Sequence, residues 1–137
     1  MSSTKPYILA VLLLASYATF QRNRDYSSPV ALWESAVRLS PAKSGTHLKL
    51  GTAYHQEGRW NEALFSYYRA VHLPEDGAGL KFHFHTAAYT NMAAIYMGAG
   101  LLPEAAYVLG QVTEPTEASR MNWDVLVKQL QAQAKFD

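Results

Sequence analysis

The chain has 137 residues, which by length is one domain. Apolar residues make up 49% and charged residues 17%, a balance that suits a globular chain with an added hydrophobic segment. The net charge of +1 gives no bulk attraction to nucleic acid, and the absence of cysteine excludes disulfides, thiolate chemistry and cysteine-ligated zinc.

Met1 to Thr4 is polar, Lys5 carries the first charge, and Pro6 to Phe20 runs without charge before Gln21-Arg22-Asn23-Arg24. That run is about 15 residues, roughly 22 Å as a helix, against a hydrocarbon core of about 30 Å. Ser2 to Thr4 and Gln21, with Lys5 and Arg22 snorkelling at the two ends, bring it near spanning length. The expectation is a single membrane anchor over residues 1–24, with Tyr7, Tyr17 and Phe20 as interfacial aromatics. Two readings stand beside it. One is a secretory signal cleaved after Ser16-Tyr17-Ala18, giving a mature start at Thr19; the other is a buried soluble helix. Basic residues flank both ends, so charge does not set an orientation.

Ser28-Pro29 is a helix start, with serine as N-cap and proline in the first turn, and Ser40-Pro41 ends that helix. Val30, Trp33 and Val37 form its apolar stripe. A second helix is predicted from Lys43 to Glu57, with Leu50, Ala53 and Tyr54 inward and Gly58 as its stop. Trp60 to His72 is the third, burying Ala63, Leu64, Tyr67, Ala70 and Val71. Pro74 to Gly79 breaks the chain. A longer helix follows from Leu80 to Gly98, with Tyr89, Met92, Ala93 and Tyr96 in its core. Leu102 to Val112 is next, with Ala105, Leu109 and Val112 inward. The last runs from Glu117 to Lys135, where Trp123, Leu126, Val127, Leu130 and Ala134 form an apolar stripe suited to covering the end of a stack.

Two stretches repeat. A shift of 42 residues lays Leu50 over Met92, Gly51 over Ala93, Tyr54 over Tyr96, Gly58 over Gly100, Ala63 over Ala105, Tyr67 over Leu109 and Ala70 over Val112. Trp33, Ala36 and Pro41 fit as a preceding half-unit. This pattern resembles the tetratricopeptide repeat, a helix–turn–helix of roughly 34 residues. His47 departs from it, as do about eight inserted residues between Pro74 and His83. The resemblance implies an all-α fold: a single N-terminal membrane helix, then a short solenoid. The solenoid divides into a half-repeat (28–41), two repeats (43–74 and 80–113) and a capping helix (116–136), together one domain over 25–137. Ala18 to Glu75 carries a further likeness in Arg22-Asn23, Tyr26, Leu32-Trp33, Ser40-Pro41, His47 and Leu50-Gly51. It resembles the junction where transmembrane and tetratricopeptide repeat proteins pass from their last membrane helix into an extracytoplasmic repeat array. The implied location is a cell membrane, with the repeats facing the periplasm or its equivalent.

In such repeats the first helix of each hairpin lines a groove. By position the groove residues are Leu48, Thr52, His55 and Gln56, then Thr90, Ala94 and Met97. The same residues also read as an ordinary solvated face. Tyr68, Phe82 and Phe84 exceed what the repeat needs and suggest an exposed aromatic contact patch. His83-Phe84-His85 invites a metal reading, but histidines two apart on a helix point to different sides, so no metal or other cofactor is expected. No serine elbow, phosphate loop or acidic dyad appears, and the expectation is a binding protein, not an enzyme. Its partners would be protein subunits of a membrane complex. A soluble periplasmic adaptor and an accessory subunit of a sugar-transfer system are the alternatives.

Overall fold

The computed structural model describes residues 5–25, 28–74 and 84–135. Among them are seven helices and no strand: α1 (Lys5–Asp25), α2 (Pro29–Leu39), α3 (Ser44–Gln56), α4 (Trp60–His72), α5 (Phe84–Gly98), α6 (Leu102–Gly110) and α7 (Glu117–Gln133). Ser28 caps α2, its hydroxyl accepting from the Ala31 amide at 3.1 Å; Thr116 caps α7 by accepting from the Ser119 amide at 3.3 Å. α6 stops short of the expected Val112. Past Gly110 the chain tightens, with Gln111 and Val112 donating back to the carbonyls of Val108 and Leu109 at 3.2 and 3.1 Å. The predicted residues 80–83 of the longer helix lie outside the described residues, as does Phe82.

Each helix packs on the next from α2 to α7, and α5 also touches α3 and α7. That arrangement is compatible with helical repeats. The repetition reaches the atoms of the turns. Gly58 and Gly100 both take positive φ, 72° and 76°. Arg59 and Leu101 donate to the carbonyls of Tyr54 and Tyr96, both at 2.9 Å. Ala63 and Ala105, one turn into the following helices, donate back to Arg59 and Leu101 at 2.9 and 3.1 Å, and both are fully buried. The crossings differ in detail. A Cβ on Gly51 would stand 2.6 Å from the buried Tyr67 ring and 3.2 Å from the Ala63 carbonyl, so α3 and α4 meet at hydrogen. Ser44 fastens the other end of this hairpin, donating to the Ala70 carbonyl at 2.8 Å.

The membrane-spanning helix expected over residues 1–24 is corrected: among the described residues no helix is long and apolar enough to cross a membrane. The charge-free stretch of α1 stops at Gln21, and polar and charged residues fill its last turn. The side chains of Lys5 and Arg22, its expected ends, lie outside the described ones. What α1 does show is apolar on every side. Tyr7, Ile8, Val11, Leu12, Leu13, Leu14, Tyr17 and Phe20 are all exposed. Two of its polar side chains bond within the helix: Thr19 donates to the Ala15 carbonyl at 2.9 Å and Gln21 to the Tyr17 hydroxyl at 2.7 Å.

The stripe expected to cap the stack is also narrower than its spacing implied. Leu126 is fully buried, whereas Trp123, Val127, Leu130 and Ala134 are exposed. α7 meets α5 and α6 along one line through Ser119, Asn122 and Leu126. Asn122 donates across that line to the Thr90 carbonyl at 3.0 Å.

Candidate functional site

Of the seven residues expected to line a groove, Leu48, Thr90 and Met97 are buried in the core. The packing explains this. α5 lies on α3 and α7 lies on α5, so part of the face that would line a groove becomes an inter-helix contact. Thr52 and His55 are half-buried, while Gln56 and Ala94 are exposed.

The half-buried pair converges on one phenol. His55 Nδ1 is hydrogen-bonded to the Tyr67 hydroxyl at 3.3 Å, and their rings sit edge to face with centroids 6.4 Å apart. Burial raises the Tyr67 pKa above the usual tyrosine value, while its side-chain interactions with Thr52 and Asn91 act in the opposite direction. Tyr67 therefore joins α3, α4 and α5 at a polar node: its ring fills the crossing below Gly51, and its hydroxyl collects side chains from both first helices.

A cavity of about 460 Å³ adjoins the node, between the two hairpins at the end where they turn. His55, Trp60, Asn61 and Leu64 line it from the first hairpin, and Ala94, Ile95, Tyr96 and Leu101 from the second. Trp60 meets the His55 ring edge to face at 5.2 Å. Trp60 and Asn61 are the residues that motif reasoning missed. The 42-residue shift held the signal, because it lays Trp60 over Leu102 and Asn61 over Pro103, replacing an aliphatic and an imide by an indole and an amide. Beside them Arg59 is committed. It bonds Glu62 at 3.0 Å, lies 3.7 Å from Glu57 and stacks over the Tyr54 ring at 4.4 Å.

The aromatic patch is not assembled as expected. Tyr68 is exposed and stacks on His72, centroids 3.9 Å apart. Phe84 is half-buried, and its ring lies where a Cβ on Gly45 would meet it at 3.0 Å, so it packs on α3. His85 Nε2 donates to the Leu73 carbonyl at 2.8 Å, and His47 Nε2 to the Pro41 carbonyl at 2.9 Å. Both rings thus tie loop backbone to a helix. Among the described residues no group of three or more His, Cys, Asp or Glu could hold a metal ion.

No protein-family profile matches the chain, and no solved structure matches it. Over 108 residues, 78% of this chain, it is 31% identical to the Protein O-mannosyl-transferase Tmtc3 of Drosophila melanogaster. The chain spans only 11% of that relative's length. The described residues are all-helical and compatible with helical repeats, and the chain is distantly similar to a protein named as a transferase. The expectation that it stands outside enzyme chemistry is corrected by that similarity.

Proposed function

We propose that this chain is a tetratricopeptide-type interaction module working in protein O-mannosyl transfer. The carrying observation is the turn and crossing geometry repeated at a 42-residue shift, in a chain similar over most of its length to Protein O-mannosyl-transferase Tmtc3. The module binds a protein segment on the surface of Thr52, His55, Gln56 and Ala94. The segment belongs either to a transferase or to an acceptor protein on its way to modification. The likeness of Ala18 to Glu75 to the membrane junction of transmembrane and tetratricopeptide repeat proteins supports the same reading. We place the repeats on the extracytoplasmic side.

Crosslinking in native membranes, purification of the full chain and identification of the attached chains tests this. The expected result is a mannosyl-transferring or O-mannosylated protein, lost when Ala94→Arg places charge and bulk on the exposed surface. Recovery as a lone monomer from every detergent, with no crosslinked chain, would refute it.

A further inference from the structure

We propose that the cavity beside Trp60 is a binding site for a neutral pyranose, specifically a hexosyl unit of the kind carried on a glycosylated serine or threonine. The argument begins with an asymmetry. Trp60 and Leu102 occupy equivalent positions at the start of α4 and α6, yet Leu102 is 7% exposed and Trp60 50% exposed. The indole is larger than the core position needs; it stays half exposed and lines the cavity.

The lining is of mixed chemistry. Trp60, Tyr96, Leu64 and Ile95 supply aromatic and aliphatic wall. Besides the Tyr96 phenol, two hydrogen-bonding groups stand among them. The Asn61 amide has no partner among the described residues, and His55 uses Nδ1 on Tyr67, leaving Nε2 for another group. A purely apolar side chain would fill the wall and leave both polar groups unsatisfied, which is unfavourable. A pyranose presents an apolar C–H face to an aromatic ring and hydroxyls at its edge, so it uses both. The volume, about 460 Å³, falls in the range of small-molecule sites. Charge then selects within that class. Among the described residues the lining carries no lysine or arginine, and the neighbouring Arg59 is held by Glu62, Glu57 and the Tyr54 ring, which disfavours a phosphate or carboxylate. The ligand is neutral.

The choice of a hexose rests on the function proposed above; the pocket chemistry alone asks for a neutral ring with hydroxyls. The test is a titration of the full chain with methyl α-D-mannopyranoside, followed by the NMR signal of the Trp60 indole N–H. Cyclohexanol, a six-membered ring with a single hydroxyl, serves as the control for apolar stacking without the remaining hydroxyls. Saturable shifts are expected with Kd on the order of 1–10 mM. Trp60→Ala or Asn61→Ala should weaken binding at least about tenfold, while Trp123→Phe leaves it unchanged. Asn61 is exposed, so its variant stays informative even where loss of the indole disturbs α4. No saturable shift up to about 50 mM, or equal binding of cyclohexanol, overturns the proposal. Failure of the glycoside with crosslinked partners intact removes the sugar site alone. Glycoside binding without any crosslinked chain removes the interaction-module reading and leaves the sugar site standing.

Discussion

The two hairpins solve one packing problem with different pieces. In α3 and α4 a glycine faces a tyrosine, Gly51 against Tyr67; the equivalent positions in α5 and α6 hold Ala93 and Leu109. Bulk moves from one side of the crossing to the other, and both larger side chains are buried. What repeats is the volume at the crossing. The tyrosine hairpin gains something by its choice, since a phenol brings a hydroxyl to the far side of the core and a leucine does not.

Deleting the larger piece should show the greatest effect. Tyr67→Ala is expected to cost about 3–5 kcal/mol in urea unfolding, because a fully buried ring leaves a cavity and orphans the groups gathered at its hydroxyl. Gly51→Ala should cost about 1–3 kcal/mol by overpacking. Adding Tyr67→Leu to it recreates the Ala93–Leu109 pair and should recover part of that loss; a double variant as unstable as the sum of its parts would show that the crossings are not interchangeable. The turns offer an equality to check. Gly58→Ala and Gly100→Ala should each cost about 1–2 kcal/mol, since both positions are left-handed. Unequal losses would mean that the turns, unlike their hydrogen bonds, differ in rigidity. Smallest is an alkaline effect confined to the first hairpin. Tyr54 is pushed up to about 12, first by burial and then by its 2.6 Å hydrogen bond to Glu34. A raised phenol favours the neutral folded form, so this contribution is whole below about pH 10 and fades as pH rises toward 12. Tyr54→Phe should flatten the stability profile across that window.

Much of this fold was legible because it is local. Ser28 before Pro29, the stop glycines Gly58 and Gly100, and the spacing of Gly51, Ala63 and Tyr67 each act within one hairpin or one turn, and sequence separation carries their geometry. The surface was less legible because it depends on which helix lies over which. Leu48, Thr90 and Met97 sit on a face that looks open within one hairpin and is closed by the next. Phe84 reads as a spare aromatic until Gly45 supplies the flat place on α3 where its ring rests. α7 carries a full apolar stripe, yet contacts its neighbours along a single line, so most of the stripe stays outside. Trp60 was visible as a letter, but only its exposure beside a buried Leu102 gives it meaning.

Tyr67 also works as a lever. Its ring is wedged at the α3–α4 crossing, while its hydroxyl meets His55 on the wall of the cavity. Anything that tightens or pulls on that imidazole acts on the angle between two helices through one rigid phenol. A ligand that displaces the imidazole would therefore be expected to change the stability of the α3–α4 hairpin as well.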